Sequence, residues 1–305
     1  MSPRRTIVAL LKLSSFILLF VIATGVATAN TSPEQDPKRS SKEPVSPGIC
    51  GQRSCYFPQE TLFHPLIGDQ TQPRFFASFY DYSSAAKTFN MGSVGYGEDF
   101  GFVRWGNTAD SGAYQFGLLG GLFAQFNLDA PSNDLINADY TIGFPLEYRY
   151  RSFSVRSRIY HQSSHLGDEF LLRADTDRIN LSFESLELLG SYELSKWRVY
   201  GGGEYLLHRF PRSLDRASLQ AGFEYIGGEG IGDVGTLVGG MDYKSFKEHN
   251  WSDNYSFKIG VELHRPDGVK RHVRFMLEAY EGHSPFGQFY SNRIEFYGVG
   301  LHLGL

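Results

Sequence analysis

The feature that most restricts this chain is a period of two that recurs from Phe75 to Leu305. Between Tyr114 and Leu128 the even positions are Tyr114, Phe116, Leu118, Gly120, Leu122, Ala124, Phe126 and Leu128, and the odd ones include Gln115, Gly117, Gly121, Gln125 and Asn127. Successive strand side chains point to opposite faces, so such a run makes a strand with one apolar and one polar face, and it suits no helix. Tyr140, Ile142, Phe144, Leu146 and Tyr148 repeat the pattern against Thr141, Gly143, Glu147 and Arg149. Further runs follow at 219–225, 255–263, 273–280 and 299–305. There are about twelve such strands, many near the 9–11 residues that a tilted strand needs to cross a bilayer.

The connections alternate in length. Those at 149–152, 194–196 and 264–269 are tight, whereas 129–138, 164–178 and 283–292 are longer. Short turns on one rim and long loops on the other predict an all-β fold: an antiparallel up-and-down transmembrane β-barrel of about 12 strands over residues 73–305, with both ends on the short-turn side. The alternate face carries Glu147, Arg149, Arg156, Arg158, Arg198, Glu204, Glu224, Lys258, Glu262, Arg274 and Glu278. Mixed signs in a small barrel pair into an interior network and make no single-sign pore. A soluble barrel would invert the two faces, and periodicity alone does not separate inside from outside. Tyr114, Phe126, Tyr140, Tyr148, Tyr225 and Tyr255 fall near strand ends, where interfacial aromatics belong.

Upstream of the barrel, Arg4, Arg5 and Lys12 precede an apolar stretch at 13–26 and an Ala27-Thr28-Ala29 cleavage site, so residues 1–29 read as a secretory signal. Residues 30–49 are rich in Pro, Ser, Lys and Glu and read as a disordered linker. Cys50 and Cys55, the only cysteines, are expected to form a disulfide in an exported protein and to staple a lead-in over residues 50–72. The net charge of −4 and the lack of a basic tract argue against nucleic acid as a partner. The expected location is the bacterial outer membrane, with outer-membrane lipids as partners.

Residues 158–170 (RIYHQSSHLGDEF) carry the densest chemistry. Phe153, Val155 and Ile159 share a face, and extending their period places His161 and Ser163 on it. Two apart on a strand, an imidazole can take a hydroxyl proton, as a serine-type acyl hydrolase requires. The third member of a triad stays open between Asn180 and Glu184 on the returning strand. Leu181 and Phe183 argue for one phase of that strand, Leu186 and Leu188 for the other. The backbone at 164–167 is the expected source of oxyanion donors.

Several phrases are familiar: AQFNLDAPSNDLINADYTIGFPLEYRYR (124–151), YHQSSHLGDEFLL (160–172), WRVYGGGEYLLHR (197–209), LQAGFEY (219–225) and GQFYSNRIEFYGVGLHLG (287–304). Together they resemble the bacterial family catalogued as domain of unknown function 1207, which implies an outer-membrane-type protein and hands over no activity. Locally, HQSS at 161–164 is similar to the H-Q-S-N-G phrase of outer-membrane phospholipase A, a twelve-stranded barrel with a lipid-facing Asn-His-Ser triad. The lipid A 3-O-deacylases also use His and Ser two apart, with a Glu. Mapped here, His161 is the base and Ser163 the nucleophile, while Ser164 and His165 depart from the phrase.

Two functional classes follow. One is a non-catalytic structural or interaction barrel with a charge-filled lumen. The other is a lipid acyl-ester hydrolase, of phospholipase A or lipid A deacylase type, using the Ser163/His161 pair. Calcium is a candidate cofactor, with Asp129, Asp134, Asp168 and Glu169 on loops of one rim, since hard carboxylates suit it. His161, His165, Asp168 and Glu169 form a weaker zinc set, because loop spacing alone does not show convergence. Gly201-Gly202-Gly203 precedes no helix and marks close packing or a bend within a strand.

Overall fold

The computed structural model of the chain describes residues 49–50, 54–174, 179–231, 234–264 and 271–304. The signal segment at 1–29 and most of the 30–49 linker lie outside them, as does Leu305. A small hairpin of β1 (Ile49–Cys50) and β2 (Ser54–Tyr56) comes first. Next run β3 (Phe75–Ser84), β4 (Thr88–Asn107), β5 (Gly112–Asn127), β6 (Asp134–Tyr150), β7 (Phe153–Leu166) and, after a short helix α1 (Asp168–Ala174), β8 (Leu181–Leu194). The last six are β9 (Trp197–Phe210), β10 (Ala217–Ile231), β11 (Gly235–Phe246), β12 (Ser252–Leu263), β13 (His272–His283) and β14 (Arg293–Gly304).

From β3 to β14 each strand pairs antiparallel with the next, and β14 returns to β3 (Leu303 opposite Phe75), closing a twelve-stranded barrel. Closure leaves no edge with unpaired amides, which is the condition for strands to cross hydrocarbon. The hairpin adds outside the ring, β2 pairing with the overhanging end of β4 (Cys55 opposite Arg104). Turns at 151–152 and 195–196 lie on the rim where β3 begins and β14 ends, and helix α1 and the loop at 284–292 lie on the other. These are called below the terminal rim and the loop rim.

The faces divide by period. On β6, Ile142, Phe144 and Leu146 are exposed outward while Gly143, Pro145 and Glu147 are buried inward. The outer surface is therefore an apolar belt, which resolves the two barrel readings in favour of the membrane type. Trp105 stacks on Tyr114, which meets Tyr148, at the terminal rim, and Tyr243 meets Tyr255 at the loop rim.

Inward, charges are buried in pairs. Glu187 receives Arg156 (3.0 Å) and Arg158 (2.6 Å), Arg198 reaches Glu224 (3.1 Å), and Lys258 with His302 holds Glu278 (both 2.8 Å). A charge removed from water without such a partner costs several kcal/mol, roughly, so the pairing is a condition for filling a barrel this way.

The lead-in completes that filling. Residues 57–74 have no period of their own and run through the interior, where their amides need acceptors. Glu147 accepts from Leu62 (2.7 Å) and Phe63 (3.2 Å), and Glu224 accepts from Ile67. Phe63 is buried against Leu189 and Tyr200, with the guanidinium carbons of Arg198 (4.5 Å) and Arg156 (4.8 Å) over its ring. Ile67 packs on Val238 and Met276, and Asp69 binds Lys244 (2.7 Å). Gly202 on β9 gives Leu189 its space: a Cβ there would stand 2.0 Å from the Leu188 carbonyl oxygen and 2.9 Å from the Leu189 side chain.

Candidate active site

β7 alternates as its sequence predicts. Ser154, Arg156, Arg158, Tyr160 and Ser164 are buried inside, and Phe153, Ile159, His161 and Ser163 lie on the outer face. On β8 the phase is set by Glu187, Leu189 and Ser191, all buried inside, so Ser182, Glu184, Leu186 and Leu188 look outward. Leu181 and Phe183 instead point in and pack with Leu206, Leu214 and Tyr290 beneath the loop rim. Apolar residues on that stretch serve an inner cluster, and lipid takes the other phase.

The register sets Glu184 directly opposite His161. Its Oε1 lies 2.8 Å from His161 Nδ1, and the two side chains are 41% and 45% exposed, so the pair is open to whatever touches the outer wall. A carboxylate only accepts, so Nδ1 carries the proton and donates to Glu184, leaving the Nε2 lone pair free. Ser163 lies two residues on, on the same face, and makes no hydrogen bond to His161 among the described residues; Ser182 stands across from it. Asn180, the other candidate, is exposed ahead of β8 and has no bond to the imidazole.

Around this group the wall is apolar. Tyr140, Ile142, Ile159, Leu186 and Phe210 are all exposed on neighbouring positions. A hydrogen-bonded His–Glu pair and two serines on a lipid belt are polar groups where polar groups are costly, and such groups mark function more often than packing. A third strand contributes a residue that sequence reasoning missed. β9 carries an irregularity opposite Glu184/Ser185, and this sets His208 across from Glu184 on the outer face. An inserted residue shifts the phase of all that follows, and nothing in YLLHRF announces it.

The inner side of the same wall is clamped. Gln288, buried in the loop between β13 and β14, donates from Nε2 to the carbonyls of Ser164 (2.8 Å) and Ile179 (2.8 Å) and accepts at Oε1 from the Ile179 amide (3.1 Å). Its own amide donates to Asn137 Oδ1 (3.2 Å), and Asp139 accepts from Gly287 (2.9 Å). The clamp joins β6, β7 and the approach to β8 just beyond the last ladder pair, Ser164 with Leu181.

Three expectations are corrected. Residues 164–166 belong to β7, and Gly167 donates its amide to Ile136 (3.3 Å), so residues 164–167 are not a free loop of oxyanion donors. Asp129, Asp134, Asp168 and Glu169 do not converge. Asp129 accepts from Asn90, and Asp134 accepts from Ser132 and Arg173. Asp168 and Glu169 open the short helix α1. The zinc set fails in the same way: His161 is taken by Glu184 and His165 lies edge-on to Tyr140. Among the described residues no three His, Cys, Asp or Glu side chains are placed to share a metal ion.

The family model described as "Protein of unknown function (DUF1207)" matches residues 2–305. No curated protein matches. Among solved structures the chain is similar to outer membrane phospholipase A from Escherichia coli, with a TM-score of 0.53 at 14% identity over 76% of this chain and 90% of that one. It is also similar to a calcium-bound dimer of the Salmonella typhi outer membrane phospholipase, with a TM-score of 0.53 at 13% identity over 80% and 92%. At such identity the likeness shows a shared fold, that of an outer-membrane-type β-barrel.

Proposed function

We propose that this chain, which belongs to the DUF1207 family, is an outer-membrane lipid acyl-ester hydrolase working on its outer wall. The observation that carries the reading is the His161–Glu184 hydrogen bond of 2.8 Å on the lipid-facing side, with Ser163 next along the same face. In this reaction Ser163 Oγ attacks the ester carbonyl while His161 Nε2 takes its proton. The tetrahedral intermediate collapses to an acyl-serine, and the same proton passes to the departing lysolipid alcohol. Water, deprotonated by His161, then releases the fatty acid and restores the serine. Glu184 fixes the ring and stabilises the imidazolium, the part an acidic residue plays in other triads. The fold shared with outer membrane phospholipases supports the reading, and membrane phospholipid is the substrate class that reaches such a wall.

The interior supports a sealed barrel. Residues 57–74 and the buried ion pairs fill the terminal half of the lumen, so a solute pore is not part of the reading. The test uses the full exported chain in detergent micelles with phospholipid and lipid A as substrates. Ser163→Ala and His161→Ala should each lower acyl-ester cleavage by at least ~100-fold, the scale of losing a base or nucleophile. Both should keep the heat-dependent gel shift of a closed barrel. Wild-type protein with no turnover on either lipid, with and without calcium, returns the chain to the rival class, a non-catalytic structural or interaction barrel with a charge-filled lumen.

A further inference from the structure

Above the lead-in the barrel is not full. A cavity of about 150 Å³ lies between the Asp69–Thr71 stretch below and the loops of the loop rim above. Its walls are the inward side chains of β7 to β13, so it is separated by one strand thickness from the outer face that carries His161 and Ser163. A void of this volume holds roughly one benzene-sized body when its lining is apolar.

The lining has two characters. Leu181, Phe183, Leu206 and Leu214 form one continuous apolar wall, and Tyr290 packs on them. The described lining also carries five carboxylates, Asp69, Glu204, Asp215, Asp242 and Glu248, against two cations, Arg216 and Lys244. Pairing removes part of this charge. Lys244 is matched by Asp69 (2.7 Å), and Asp215 by Lys247 (3.2 Å). Arg216 spends Nη1 on the carbonyls of Leu206 and Leu207 (both 2.8 Å), and Glu248 accepts from the Asp215 amide.

Glu204, Asp242 and Glu248 make no ion pair among the described residues, although Lys244 lies close enough to act on the first two. Glu204 accepts the Tyr160 hydroxyl at Oε1, and Asp242 accepts Tyr200 (2.7 Å) and Gln220 (2.7 Å), both at Oδ1. The second oxygen of each carboxylate has no protein donor among the described residues, although both side chains line the cavity. A carboxylate oxygen that faces a cavity takes a donor, and a cationic donor suits it best. An anion meets the same two carboxylates as repulsion.

We propose that this chamber binds a small organic amine: an apolar body of about one ring against the leucine wall, and a protonated amino group on the Glu204 and Asp242 side. The inference stands apart from the outer-wall hydrolase, since the two sites share no side chain.

The test is calorimetric or ligand-detected NMR titration of the full chain in non-ionic micelles. Benzylamine is the probe, with benzyl alcohol and benzoate as isosteric comparators. Benzylamine should bind saturably, at least about tenfold tighter than either comparator. Glu204→Gln should erase most of that preference while leaving benzyl alcohol unchanged. Ser218→Phe, which fills the cavity from β10, should abolish saturable binding of all three. Each variant is first checked for the closed-barrel gel shift, with Asp242→Asn in place of Glu204→Gln should the latter fail it. The proposal is overturned by benzoate binding as tightly as benzylamine, by binding that survives Ser218→Phe and so belongs to the micelle, or by no saturable benzylamine binding at millimolar concentration.

Discussion

Gln288 is the residue whose removal the structure values most directly. Its side chain makes three hydrogen bonds, to the Ser164 carbonyl, the Ile179 carbonyl and the Ile179 amide, from a buried position. Gln288→Ala removes all three and leaves the main-chain bonds from Gln288 to Asn137 and from Gly287 to Asp139 intact, so the loop keeps both of those anchors. Each lost bond is worth about 1 kcal/mol net, and a buried carbonyl left without a donor costs more. Ile179 is only half-buried, so water recovers part of its share. A local cost of about 3 kcal/mol follows, which raises the opening equilibrium of the β7–β8 rim roughly 100-fold. The ladder below, from Gln162 with Phe183 down to Phe153 with Tyr192, is untouched, so the barrel itself stays closed. Hydrogen–deuterium exchange in micelles reads this out. Amides at 179–182 should exchange about 100-fold faster in Gln288→Ala, while those at 153–157 on the terminal rim stay protected. Unchanged exchange at 179–182, or a rise spread evenly over both rims, would refute the idea that this one amide clamps the strand ends beside Ser163.

Other outcomes are expected of the same protein. Cys50 and Cys55 stand opposite each other in the hairpin ladder, and we predict that the exported chain carries them as one disulfide; mass spectrometry without reductant finding two free thiols contradicts this. Fractionation should recover the mature protein with outer membranes and not in the soluble periplasmic fraction, with a band that shifts on heating in mild detergent. His249, in the loop between β11 and β12, stacks on His283 at 3.7 Å, and burial pushes its imidazole below the ordinary histidine value. For a base depressed in the folded state, the unfolded or open form holds the extra proton, so acidification from about pH 6.5 downward must favour opening of that loop. The protection factors of amides 247–251, taken against the intrinsic exchange rate at each pH, should therefore fall from pH 7 to pH 5 in wild type, and His249→Phe should make the profile shallower, with the stacked His283 keeping its own share.

The barrel was legible because closure in a bilayer writes one rule into every strand. Tyr114 to Leu128 and Tyr140 to Tyr148 could hardly be anything else, and the loop lengths assigned each connection to its rim. What periodicity could not give was the phase near a rim. Leu181 and Phe183 are apolar and point inward, because a cluster with Leu206 and Leu214 closes the lumen there. An apolar side chain near a strand end has two apolar destinations, and only the pairing partner separates them. The lead-in was illegible for a different reason. YFPQETLFHPLIGDQTQ has no repeat, and its conformation is dictated by acceptors contributed from strands 84 to 157 residues away, Glu147 and Glu224 above all. Long-range polar satisfaction leaves no local pattern.

The candidate site shows the same division at single-residue scale. His161 and Ser163 were assigned to the outer face by counting twos along one strand, and Glu184 was one of two named partners, but setting it opposite His161 in place of Asn180 required the register that only the fold supplies. The loop carboxylates failed for the complementary reason. Closeness in sequence along a rim does not make side chains converge, and Asp134 meets an arginine while Asp129 meets an asparagine. His208 needed an inserted residue in β9 that no count predicts. One consequence concerns the wall itself. Along residues 160–164, Tyr160 and Ser164 belong to the interior, and His161 and Ser163 to the outer face. A five-residue stretch thus serves two compartments with different solvents, and its alternation makes them separable. A substitution at Tyr160 alters the donor to Glu204 in the chamber without touching the outer pair. One at Ser163 acts on the outer wall alone, whereas a single inserted residue in β7 would exchange the two sets and abolish both.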